Sequence, residues 1–378
     1  MIDSFEIKKF RLFNNVEIKN FKNVNLIVGK NNAGKSALLE ALLLYSSRFS
    51  SDVILEILFS RQEHWESGKS AFNQQQIINP LKHFFENHKI PEPHETGFSL
   101  SSKKNNDQVY VKTTAYIVEE TDNRVVRREA VDPLKIHDMD EDVYELYLVA
   151  EINGKSSIIM SFQDDFENFK RRNARRNSLV LPKKSSIGAL PYQFVPTQGM
   201  ANAKVSALWD SISLTDMEKE VIKGLQLIEA DVTGITFVQS PNSHADKGRI
   251  PLVKLNGLEG PVSLKSLGDG MTHIFQIVLS LVSAKNGVLI VDEFENGLHW
   301  SIQEDVWNII FSLASTLNVQ VFATTHSRDC IMGFEKVWKR NENKGSFLRI
   351  KKENHIAVVN EYDLELLSDS IETDVEIR

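Results

Sequence analysis

The 378-residue chain has one cysteine, Cys330, which excludes an internal disulfide and any zinc site built on thiolates and suits a reducing compartment. No apolar run reaches the roughly 18 residues needed to cross a bilayer. The opening MIDSFEIKKFRLF lacks an apolar stretch behind its lysines, so no secretory leader is expected and a cytoplasmic location is. Glycine and proline, at 18 and 10 residues, are too few for a collagen-like or low-complexity chain. Long a/d heptads are missing, which excludes a coiled-coil tether, and no repeat of about 20–50 residues recurs. The net charge of −7 argues against a surface coated in nucleic acid but leaves room for a local basic patch. What remains is ordinary globular composition, 42% hydrophobic and 25% charged. At roughly 150 residues per domain, the length suits two or three domains.

Hydrophobic periodicity organises the chain. Ile7, Phe10, Leu12 and Phe13 suit a short strand, and VNLIV (24–28) is a fully buried one ending at Gly29. SALLEALLLYSS then carries a helical pattern. Residues from about 46 to 96 suggest polar helices, and residues from about 97 to 165 alternate with period two, with a hairpin turn at Asn153–Gly154. A capping box, Thr215 to Glu218, starts a later helix. The apolar runs VLIVD and VQVFATTH suggest two more interior strands, and FLRIKK and HIAVVNEY suggest a small C-terminal cap before an acidic end.

Gly29-Lys30-Asn31-Asn32-Ala33-Gly34-Lys35-Ser36 fits G-x4-G-K-S between a strand and a helix. In that loop consecutive N–H groups and the helix N-terminus cradle phosphate oxygens. Lys35 would reach the β- and γ-phosphates, and the Ser36 hydroxyl would ligate Mg²⁺. Asp292 and Glu293 end the VLIVD strand, where ligands bind in open parallel sheets. Asp292 would hold Mg²⁺, and Glu293 would act as general base toward the attacking water. His326, ending the next strand, is placed to contact a γ-phosphate. Ser266, Gly268, Asp269 and Gly270 precede a helix and form a second phosphate-binding design, suited to a nucleotide held between two copies. Lys170, Arg171, Arg172, Arg175, Arg176, Lys183 and Lys184 make a run of seven basic residues without an acid. Such a run suits phosphate-backbone contact, or else a solvated loop. The seven acids from Glu361 onward suggest a solvated helix face.

With these motifs in place, the chain resembles the ABC-type ATPases of the RecF/SMC branch, and more closely the OLD-like AAA family ATPases. IKKFRLFNNVEIKNFKNVNLIVGKNNAGKSALLEAL is similar to the family's opening. VDEFENGLH (291–299) is similar to its Walker B and D-loop, Ser266–Gly270 to its signature in a Ser-x-Gly-x-Gly form, and His326 to its switch histidine. The likeness covers roughly residues 1–45 and 195–335. It implies an α/β P-loop NTPase of ABC-ATPase type, a mixed central sheet with an antiparallel β subdomain and a long α+β insertion. The expected divisions are 1–45 (Walker A part), 46–194 (insertion), 195–335 (signature, Walker B and switch histidine) and 336–378 (cap and acidic tail). It also implies ATP and Mg²⁺ as cofactors, with Arg11 near the adenine or ribose. Gln198 would be the Q-loop glutamine, with Gln193 as the runner-up.

The activity implied is ATP hydrolysis by a homodimer or higher homo-oligomer, acting as sensor or motor in nucleic-acid-linked processes. Prokaryotic anti-phage defence with a separate nuclease or toxin effector is the expected setting, with DNA or RNA as a further partner and no membrane. The alternatives are an ATP-dependent scaffold that sequesters a toxin or nuclease, and a RecF-like repair ATPase. OLD nucleases continue into a Toprim domain, and nuclease activity within these 378 residues is not expected.

Overall fold

The chain opens with a hairpin, β1 (Phe5–Phe10) and β2 (Phe13–Ile18), whose two-residue turn sets Arg11 at φ 52°. That left-handed backbone is uncommon for a residue with a side chain. It is held by the Arg11 N–H, which donates to the Phe84 carbonyl at 3.1 Å. The structure is a computed structural model, and it describes residues 1–63, 80–103, 107–121, 124–140, 143–162, 189–226, 228–239, 249–354 and 356–373. β3 (Val24–Val28) is buried along its whole length. The helix α1 (Lys35–Ser46) follows, with every residue but Ser36 buried, and α2 (Ser51–Ser60) packs beside it. A helix covered on all sides needs apolar residues all round, and the ALLEALLLY run supplies them.

β4 (Thr96–Ser102), β5 (Asp107–Thr121), β6 (Arg124–Ala130), β7 (Glu145–Ile152) and β8 (Lys155–Ser161) join β1 and β2 in one antiparallel sheet. Its order is β2-β1-β4-β5-β7-β8, with β6 paired to β5. Asn153 and Gly154, at φ 50° and 77°, make the expected tight turn between β7 and β8. This sheet corrects the division expected from sequence. Strands β4 to β8, within residues 46–194, continue the sheet that β1 and β2 begin: Glu6, Ile7 and Lys8 of β1 pair with Ser101, Leu100 and Ser99 of β4. An open hairpin edge demands a partner, and the later strands provide it.

The second sheet has six strands. After β9 (Tyr192–Val195) come α3 (Asn202–Ile212), α4 (Asp216–Gln226) and a small three-stranded sheet of β10 (Val232–Gln239), β11 (Arg249–Leu255) and β12 (Val262–Ser263). α5 (Asp269–Ser283), β13 (Val288–Val291), α6 (Gln303–Thr316), β14 (Gln320–Thr325), α7 (Arg328–Lys339), β15 (Gly345–Glu353), β16 (Ile356–Tyr362) and α8 (Leu364–Glu372) complete the order. The sheet runs β16-β15-β3-β14-β13-β9, parallel from β15 to β9, with β16 antiparallel at the edge. Two further expectations change. β9 crosses the 194/195 boundary, and β15, within the expected cap, pairs directly with β3 of the central sheet.

Alternation along these strands feeds two cores. Leu26, Leu289, Val291 and Val321 belong to the cluster that includes the buried faces of α3 to α7. Ile27, Ile290, Phe322 and Leu348 belong to the other, with α1, α2 and the antiparallel sheet. α1 is therefore clasped between two sheets.

The contact between β9 and β13 is close at Gly287, where a Cβ would stand 1.9 Å from the Pro191 carbonyl oxygen. That same oxygen accepts the Val288 N–H at 2.8 Å. Gly287→Ala is expected to force the two strands apart and lower stability by about 1–3 kcal/mol. The effect is read as a lower urea midpoint at unchanged m; a wild-type midpoint would show that β9 yields freely.

Candidate functional site

β3, β14 and β13 are neighbours and parallel, so their C-terminal ends open on one edge, where such sheets bind ligands. Gly29–Ser36 leads from β3 into α1. β15 presses against this loop: a Cβ on Gly29 would lie 2.4 Å from the Ile350 carbonyl oxygen. Lys35 folds back on its own loop, Nζ donating to the carbonyls of Gly29 at 2.6 Å and Lys30 at 3.2 Å. Burial lowers its pKa, and Asp292, Glu293 and Glu295 oppose that shift.

Ser36 Oγ donates to Asp292 Oδ2 at 3.2 Å. Thr324 Oγ1 donates to Asp292 Oδ1 at 2.6 Å and accepts the Glu293 N–H at 2.9 Å. One fully buried hydroxyl thus orients the Asp292 carboxylate and holds the Glu293 backbone at φ 54°. The facing hydroxyl and carboxylate of Ser36 and Asp292 are hard oxygen donors, which suit Mg²⁺. His326 N–H donates to Glu295 Oε1 at 2.9 Å, and its Nδ1 lies 3.2 Å from that oxygen and 3.8 Å from Glu293 Oε1.

Gln198 lines a cavity of about 270 Å³ together with Ser36, Glu40, Arg61 and Asp292. Its loop is tied on both sides: Asn296 Nδ2 donates to the Thr197 carbonyl at 2.7 Å, and the Met200 N–H donates to Gln276 Oε1 at 2.9 Å. Gln193, the runner-up, is buried inside β9. Asn31, Asn32, Ala33 and Gly34 lie in the phosphate loop between β3 and α1, Asn32 at φ 60°. Ser266 sits in a short turn, its Oγ donating to the Ser263 carbonyl at 2.6 Å. Gly268 and Asp269 begin α5, and Gly270 meets Gly297 backbone to backbone, a Cβ there falling 2.3 Å from the Gly297 carbonyl oxygen.

Arg11, expected near the adenine or ribose, is engaged by acids of the chain itself. Its guanidinium, with the side chain 5% exposed, pairs with Glu40 at 2.6 Å and fork-to-fork with Glu63 at 2.9 and 3.0 Å, and it lies over the Phe84 ring. Burial works against its charge, but Glu40 and Glu63 more than offset this and hold its pKa above the usual value. Lys170, Arg171, Arg172, Arg175 and Arg176 lie outside the described residues.

Thr324 and Glu295 are the site residues that the sequence reading passed over. The signal for Thr324 is a pair of threonines closing an otherwise apolar strand, and Glu295 stands inside the Walker B stretch with no role attached.

A phosphate loop after β3, a carboxylate pair after β13 and a histidine after the strand between them are the layout of an α/β P-loop ATPase domain. The chain belongs to the AAA ATPase domain family, which it matches over residues 1–331. It is similar to an ATP/GTP phosphatase of Helicobacter pylori, 26% identical over 377 residues, with 90% of each chain covered. Among solved structures it is similar to the SmcHead bound to the C-winged helix domain of ScpA, with a TM-score of 0.49, 12% identity, and 96% of this chain and 98% of that one covered. The SMC head domain from Thermotoga maritima gives a TM-score of 0.44 at 10% identity, covering 96% of this chain and 99% of that one. Among the described residues, no helix is long and apolar enough to cross a membrane.

Thr324→Val keeps the shape of the side chain and removes the hydroxyl that serves both acids. Nucleotide turnover is expected to fall by about 10–100-fold, as when outer-shell partners of metal ligands are removed. Thr324→Ser is expected to recover most of the loss in a phosphate-release assay. Equal rates for valine and wild type would show that Asp292 and Glu293 hold their places unaided.

Proposed function

We propose that the chain hydrolyses ATP, with Mg²⁺ held by Ser36 and Asp292, and that two copies close around the bound nucleotide. The observation that carries this reading is the meeting of Ser36, Asp292, Glu293, Thr324 and His326, from three distant parts of the chain, at one sheet edge. Lys35 exchanges its loop carbonyls for the β- and γ-phosphates, while the backbone N–H groups of Gly29–Ser36 take the remaining oxygens. Bound there, Mg²⁺ would neutralise charge between the β- and γ-phosphates. Glu293 takes a proton from the attacking water, Gln198 shares a cavity with Ser36 and Asp292, and His326 contacts the γ-phosphate.

The partner copy's Ser266–Gly270 loop closes the site from outside, and hydrolysis reopens the pair. The name of the Helicobacter pylori relative supports testing GTP beside ATP. We place this cycle in a nucleic-acid-linked process, prokaryotic defence with a separate nuclease or toxin effector, in which Lys170, Arg171, Arg172, Arg175 and Arg176 contact the phosphate backbone.

Glu293→Gln is expected to slow phosphate release by about 10²–10⁴-fold, the range for loss of a general base. The variant should also accumulate as an ATP-bound dimer in light scattering. A variant that stays monomeric at saturating Mg-ATP would end the clamp reading. Single- or double-stranded DNA is expected to stimulate wild-type turnover, and neutralising Arg171, Arg172, Arg175 and Arg176 together should abolish the stimulation. Unchanged stimulation would remove the basic run from the account.

A further inference from the structure

His326 is half-exposed, yet the acid that holds it is not Glu293, its partner in the hydrolytic reading. The His326 backbone N–H and ring Nδ1 both converge on one oxygen of Glu295, at 2.9 and 3.2 Å, while Glu293 Oε1 stands off at 3.8 Å. Glu295 is well covered, its side chain 11% exposed, and its second oxygen, Oε2, is buried with no hydrogen-bond partner. A buried carboxylate oxygen left without a donor weakens a fold. Stability therefore does not explain why a carboxylate occupies this place.

Local geometry explains how it gets there. Glu293 takes a left-handed backbone and Phe294 plunges into the core, stacked on Trp307 with ring centroids 3.9 Å apart. The chain is turned by these two residues so that Glu295 comes back beneath the end of β14.

The two nitrogens of an imidazole are not equivalent: the one facing a carboxylate keeps its proton, and that choice fixes what the other can do. We propose that Glu295 is the positioning residue of His326. Its carboxylate fixes the ring plane and the Nδ1–H form, so that Nε2, on the opposite side of the ring, is the nitrogen presented to the terminal phosphate. Nε2 donates to a phosphate oxygen only after taking up a proton from solvent, and the Glu295 carboxylate balances the imidazolium formed by that uptake. This rests on the hydrolytic reading above and adds to it a residue that touches neither water nor phosphate.

The first test needs no nucleotide. In the full chain with ¹⁵N-labelled histidine, the His326 signals, identified by their loss in His326→Gln, are expected to report Nδ1–H. In Glu295→Ala they are expected to move to the Nε2–H form. The second test uses turnover. Glu295→Gln should lower kcat by about 10–100-fold, in the manner of outer-shell partners, with KM for ATP within about twofold. Its Tm should hold or rise. The double variant with His326→Gln should be no slower than His326→Gln alone.

An unchanged tautomer in Glu295→Ala overturns the proposal, as does strict additivity in the double variant. A clear fall in Tm for Glu295→Gln would assign Glu295 to structure and overturn it too. If the wild-type chain does not turn over nucleotide, the hydrolytic reading fails while the tautomer result still decides the role of Glu295.

Discussion

The site depends on one hydroxyl, Thr324 Oγ1, at the end of the strand that separates the phosphate-loop strand from the acidic one. It donates to the Asp292 carboxylate and receives the Glu293 N–H, so the two acids take different directions from one fixed point. A regular strand would aim consecutive side chains to opposite faces of the sheet. Here the left-handed turn at Glu293 replaces that alternation, and only a buried partner can hold such a backbone against its intrinsic cost. The order β3-β14-β13 is what makes the arrangement possible, because it sets Thr324 beside both neighbours at once.

The acidic loop is anchored beneath and interlocked above. Phe294, fully buried between two carboxylates in sequence, belongs to an aromatic cluster with Trp307, which also joins Phe311 and Phe334. Trp307 in turn donates its indole N–H to the Cys330 carbonyl on α7, the helix that follows His326. Above, the start of α5 lies on Gly297, and the Gln198 loop is tied to α5 by Gln276 and to the acidic loop by Asn296. Every segment with a chemical role is thus attached to at least one other by a hydrogen bond or a backbone contact. A displacement of α5 would be felt at Gln198, and one of the acidic loop at both.

What could be read from the sequence was whatever is written locally. The phosphate loop, the acid pair and His326 each sit within a strand–loop signal a few residues long, and the structure brings them to one edge. Legibility fails where the determinant is a distant partner. Nothing near β1 announces β4, some ninety residues away, so the antiparallel sheet looked like an inserted body. β15 looked like the start of a cap because its pairing with β3 spans most of the chain. Arg11 looked available to a ligand because Glu40 and Glu63 are far from it in sequence and close only in the fold. Thr324 and Glu295 escaped for another reason: their roles are hydrogen bonds, and hydrogen-bond geometry leaves no periodic trace.

α1 begins at the phosphate-loop lysine and runs between the two sheets with almost no surface of its own. Most helices that carry a ligand-binding N-terminus keep one flank in water and can tilt on it. This one has no such flank, and any rotation would have to be shared with the antiparallel sheet on one side and the parallel sheet on the other. The loop it carries is therefore anchored through the helix to both sheets at once.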